Sequence, residues 1–98
     1  RKVVVDELPY GTFKHKIVFK TNWKADKGIA FVNWLAKYPD EDYKISPSSY
    51  AYLTGRARYF QDPFMYIRET KMLTMLQLFA GDSIKYTEEF VPRSTLLL

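Results

Sequence analysis

The chain has 98 residues, 47% of them hydrophobic and 27% charged, with a formal net charge of +4. This is the size and composition of one globular domain, taken as residues 1–98, and is too rich in aromatics for a disordered chain. With no cysteine, disulfides, thiolate metal sites and a cysteine nucleophile are excluded, and no apolar run approaches the roughly 18 residues that span a bilayer.

Eight Tyr, seven Phe and two Trp are more rings than a core this small can bury. Some are therefore expected at the surface, either on the core rim or as a contact surface. The charge permits a polyanionic partner without requiring one. No signal-peptide pattern opens the sequence. A start at Arg1 and an end at Leu96-Leu97-Leu98 suggest a trimmed chain or a tail docked onto something.

Residues 1–12 hold Val3-Val4-Val5, read as an edge strand, and a turn signal at Pro9-Tyr10-Gly11. Phe13 to Lys20 alternates as a strand. Phe13, His15, Ile17 and Phe19 are expected on a core face, with Lys14, Lys16, Val18 and Lys20 opposite. Asp26 is a helix cap, and Ile29, Val32, Leu35 and Ala36 carry a helical stripe to about Tyr38, where Pro39 stops it. Asp40-Glu41-Asp42 reads as a solvated acidic loop.

Ser46-Pro47 favours a short helix from Pro47 to Thr54 over a strand through Tyr50–Leu53. Arg56–Gln61 and Phe64–Glu69 read as two arms of a hairpin about Asp62-Pro63. Thr70 caps a second strong helix, Lys71 to Ala80, ended by Gly81. Ile84 to Val91 is the last strand, with Ile84, Tyr86 and Phe90 on one face. The element order resembles the split βαβ, ferredoxin-like arrangement. That resemblance implies an α+β, two-layer sandwich: an antiparallel sheet with two main helices on one face.

In such a sheet the first strand and Phe64–Glu69 are central neighbours. With Met65 and Ile67 facing the helices, Phe64, Tyr66 and Arg68 join Lys14, Lys16 and Lys20 on the uncovered side. Rings stack on bases and cations neutralise phosphates, so this pattern suits single-stranded nucleic acid. Arg56 and Arg58 are added as peripheral phosphate contacts. The bland alternatives are inward-pointing rings and a solvated basic strand edge. No glycine-aromatic signature of an RNA-recognition motif stands on Phe64–Arg68.

The Met72–Phe79 helix is apolar around most of its circumference, more than one sheet contact requires. It is expected to meet the first helix, the Leu96–Leu98 tail or another chain. His15, the lone histidine, falls among core residues without a nucleophile pattern. The acidic residues are consecutive or opposed, and no phosphate loop or zinc spacing occurs. No catalytic residue, metal or cofactor is expected.

The leading expectation is thus a small non-enzymatic module for single-stranded nucleic acid, regulatory or replication-associated. It would act through Lys14, Lys16, Lys20, Phe64, Tyr66 and Arg68, flanked by Arg56 and Arg58. The alternative is a structural or interaction subunit of a larger assembly, a viral one included. It would bind a protein partner or a second copy through Met72–Phe79 and Leu96–Leu98.

Overall fold

The structure, a computed structural model, describes residues 1–21, 23–57 and 61–96. Five strands and three helices follow in the order β1 (Lys2–Val5), β2 (His15–Phe19), α1 (Ala25–Leu35), β3 (Tyr43–Ile45), α2 (Pro47–Leu53), β4 (Phe64–Ile67), α3 (Thr70–Ala80) and β5 (Ile84–Pro92). The fold is α+β, as the sequence implies. The sheet is mixed rather than antiparallel throughout, because β1 pairs in parallel with β5, and the short α2 stands beside the two main helices.

The sheet order is β1-β5-β2-β4-β3. All neighbours are antiparallel except β1, which pairs with β5 in parallel. Consequently β2 and β3 run parallel on either side of β4, joined through α1. β4 and β5 run parallel on either side of β2, joined through α3. Both edges of β4 are filled by β2 and β3; of the expected hairpin arm Arg56–Gln61, residues 58–60 lie outside the described residues.

Alternation in β2 and β4 sets the inner face. Ile17 lies opposite Met65, and His15 opposite Ile67. Ile17, Phe19, Met65 and Ile67 pack with Phe31 and Leu35 of α1, Leu53 of α2, and Met72, Leu73, Leu76 and Ala80 of α3. Burying a side chain of this class stabilises by about 1.5–3 kcal/mol, so this cluster carries the fold.

Helix α2 is the short helix favoured from sequence. Ser46 Oγ accepts the Ser49 N–H at 3.1 Å, and Pro47 occupies the first turn. Ser49 is fully buried, and its own Oγ accepts the Phe64 N–H at 3.2 Å, tying α2 to the start of β4. Helix α1 crosses α2 at Gly28, where a Cβ would stand 1.5 Å from the Leu53 carbonyl oxygen. Only a glycine allows that approach. α1 ends at Leu35, one turn before Tyr38.

Two expectations about strand faces are corrected. The β2–β5 register shifts between Val18 and Phe19, so Tyr86 pairs with Val18 while Ile84 pairs with Phe19. This bulge turns Ile84 to the inner face and leaves Tyr86 on the outer one. Phe13 precedes the start of β2 and leaves its alternation. Its ring stacks on Tyr66, on the outer face of the sheet.

Candidate contact surfaces on the two sides of the sheet

The outer face is built from every second residue of the central strands. Lys16 lies between Tyr66 and Glu88, Val18 between Phe64 and Tyr86, and Lys44 beside Tyr66. Over it folds the β1–β2 connection. Tyr10 at φ +54° and Gly11 at φ +78° form a tight turn. A non-glycine residue in the left-handed region costs on the order of 1–3 kcal/mol. Ring packing offsets it here: Tyr10 meets Phe13 and Tyr66 edge-on at 6.1 and 5.8 Å.

Tyr66 is the hub of this second, smaller cluster. Phe13 stacks on it at 6.1 Å, while Tyr10, Phe64 and Phe90 meet it at 5.8, 5.7 and 6.3 Å. Burial raises the Tyr66 phenol above its usual range, and Tyr10 and Glu88 add to the rise. The ring is thus occupied by neighbours rather than offered to solvent.

Cations sit over the rings at the rim. Lys16 Nζ lies 4.6 Å from the Phe64 centroid, Lys44 Nζ 4.6 Å from Tyr10, and the Arg1 guanidinium 5.7 Å from Tyr86. Arg1 also binds Glu88 at 2.6 Å. Tyr86, Lys44, Tyr10 and Arg1 were not singled out from the sequence. The bulge hid Tyr86, and β3 is too short to announce Lys44.

The other expected residues scatter. Arg68 binds Asp42 at 2.6 Å, its Nε buried with no hydrogen-bond partner. Lys14 and Lys20 are exposed beyond the two ends of β2. Arg56 lines a cleft with Ile29, Val32 and Tyr50 on the helix side, away from the outer face. Arg58 lies outside the described residues. Of the eight, Lys16, Phe64 and Tyr66 share the outer face.

The exterior of the helix layer has a different character. Trp34 of α1 and Phe79 of α3 stack at 5.3 Å and 14° between planes, and Tyr38 meets Trp34 at 5.0 Å. Beside them, Met75, Phe79 and Leu78 are 43%, 45% and 77% exposed. These are the positions where an amphipathic helix presents polar residues to water. Met72, Leu73, Leu76 and Ala80 of the same helix are buried. A cleft of about 330 Å³ runs along this side between Tyr38, Asp42, Glu69, Lys71, Met72 and Met75.

His15 is buried beneath α3, with Nε2 3.0 Å from Thr70 Oγ1. Burial lowers its imidazole below the usual range; Lys14 acts in the same direction and Glu89 opposes it. Among the described residues no three His, Asp or Glu side chains converge as a metal site, and no helix is long and apolar enough to cross a membrane. The chain matches no protein-family model, no curated protein and no solved structure.

Proposed function

We propose that this chain is a non-enzymatic interaction module whose working surface is the exterior of α1 and α3. The observation that carries the reading is the run of Met75, Leu78 and Phe79 on solvent, continued onto Trp34 and Tyr38 by the ring stack. Scattered apolar residues on a surface are ordinary, but a contiguous patch marks a contact site. Aromatic and Met side chains are the types that dominate interface energetics. A photo-crosslinking amino acid in place of Leu78, introduced in the native cells, tests it. Discrete protein adducts are expected there. No protein adduct at 78 would overturn the reading.

A second reading, single-stranded nucleic acid on the outer face, is favoured by one row of residues. Tyr86, Val18 and Phe64 lie side by side on three adjacent strands, with Arg1 and Lys16 poised over the two rings. Adjacent strands are about 4.8 Å apart, so the rings stand about two strand spacings apart, suited to successive unstacked bases. The contacts would come from Lys16, Phe64, Tyr86 and Arg1, with Lys14 at the margin. Oligonucleotide binding that falls steeply with salt is its signature. No binding at low salt would remove it.

For the architecture, we propose a ferredoxin-like unit formed by β2, α1, β3, β4, α3 and β5, to which β1 and α2 are additions. The two split βαβ connections described above support it.

A further inference from the structure

On one side the sheet ends in β1, and two hydrogen bonds fix which way the main chain of that strand faces. In β5 the Phe90 N–H goes to the Lys14 carbonyl of β2, and the Glu89 N–H goes to the Arg1 carbonyl. The odd-numbered residues of β5 therefore face β1, where Arg1, Val3 and Val5 turn their main-chain groups toward them. By alternation Lys2 and Val4 turn theirs outward. Among the described residues no strand pairs on that side, and no loop bonds to either main chain. Val4 is 48% exposed and stands outside the core cluster. A proline, a bulge or a covering loop commonly blunts such an edge. β1 pairs in unbroken register over Lys2–Val5, and its one charge is Lys2.

The sequence at this edge, Lys2-Val3-Val4-Val5-Asp6, complements itself when reversed. A two-fold axis at Val4 sets Val4 opposite Val4, Val3 opposite Val5 and Lys2 opposite Asp6. Moving the axis to Val3 would set Lys2 on Val4, and moving it to Lys2 would set lysine on lysine. Asp6 stands at the bend that follows the strand. It binds Arg93, the residue after β5, at 3.0 Å and keeps its side chain 87% exposed, while Arg1 binds Glu88 of β5 at the other end. These two ion pairs clamp both ends of β1 in place. We propose that β1 pairs antiparallel with β1 of a second copy of this chain about a two-fold axis at Val4, joining two five-stranded sheets into one. The Val4 N–H of each copy then donates to the Val4 carbonyl of the other. This is strand addition in the isologous form that a symmetric dimer needs, and it leaves the exterior of α1 and α3 free. A four-residue strand is short beside a standard interface of roughly 800 Å² per partner, so the dimer is expected to be reversible.

Sedimentation equilibrium of the full chain over a range of concentration tests it, with circular dichroism to verify that each variant folds. The wild type should show a reversible monomer–dimer equilibrium. Val4→Pro removes an N–H that faces away from β5, at an edge position that proline tolerates. It should keep the fold and weaken the dimer about thirtyfold, through the loss of two main-chain hydrogen bonds. The Lys2→Asp and Asp6→Lys chains should each associate less than wild type at low salt, and their one-to-one mixture should recover, because every facing pair is then opposite in charge. The chain has no cysteine, so mild oxidation of Val4→Cys should link two copies, the facing Cα atoms of such a pair being about 5.5 Å apart. Lys2→Cys, four residues or roughly 14 Å along the ladder from its counterpart, should not link. A wild type monomeric at every concentration, a Val4→Pro dimer as tight as wild type, a mixture no tighter than its components, or equal crosslinking at positions 2 and 4 overturns the pairing.

Discussion

Trp34 and Phe79 lie 5.3 Å apart and within 14° of parallel, joining α1 to α3 on the solvent side of the helix layer. The pair places aromatic surface where a free-standing layer would place charge, next to Leu78 at 77% exposure. If that surface serves contact rather than folding, its residues separate stability from association. Leu78→Lys should change the stability of the isolated chain by no more than about 0.5 kcal/mol. Leu76→Ala, two positions away on the same helix but fully buried, should cost about 3 kcal/mol. Urea unfolding of the dilute chain reads both. A Leu78→Lys loss as large as that of Leu76→Ala would make Leu78 a folding residue.

Gly28 is expected to resist the exchange that helix propensity favours. In an exposed helix, Gly→Ala gains about 1 kcal/mol. Here the new methyl would meet the Leu53 carbonyl and force α1 from α2. Gly28→Ala should therefore destabilise by about 3 kcal/mol, at the upper end of the cost of overpacking. Thermal unfolding gives the sign directly, and a stabilised variant would contradict the close crossing.

How much of this was legible in the sequence depended on how far each residue's fate was local. Ile17 and Phe19 read as core because alternation alone decides their face, and the apolar excess of α3 read correctly because helical spacing is local too. Phe13 did not. The Tyr10-Gly11 turn, with both residues in the left-handed region, redirects it onto Tyr66 before β2 begins. Ile84 was assigned with Tyr86 because a bulge opposite Val18 leaves no local mark. β3 was missed because three residues, paired only with β4, carry no period. Arg68 read as a free cation because Asp42 is 26 residues away.

That difference fixes what substitutions should do on the outer face. Tyr66→Ala removes the hub of the ring cluster and should lower stability by about 3 kcal/mol. Phe64→Ala with Tyr86→Ala should instead remove any oligonucleotide binding, since stacking contributes about 1–3 kcal/mol per base. Fluorescence anisotropy at low salt, beside unfolding curves for each variant, separates the two effects. Binding undiminished in the Phe64/Tyr86 variant would exclude this row as a stacking site.

His15 gives the fold a dependence on mild acid. Its imidazole is held below the ordinary value of 6.5 by burial, so the unfolded chain takes up the proton at higher pH than the folded one. Stability from this group is full above that ordinary value. It falls as pH drops toward the depressed native value, then levels off. In urea titrations from about pH 7 to about pH 5, the wild type should lose more stability than His15→Gln. Parallel curves would mean that His15 titrates alike in both states.

The most direct test of the helix exterior as a contact surface uses the three methionines as reporters. Met65 and Met72 are 0% and 4% exposed and Met75 43%, so peroxide should convert Met75 to its sulfoxide first in the dilute purified chain. The same footprint is then taken in freshly opened native cells, each rate scaled to a methionine peptide added to the sample. Met75 should be selectively protected in the cells while Met65 and Met72 stay slow in both. A Met75 that oxidises equally fast in both settings would contradict the assignment of α3 to a partner.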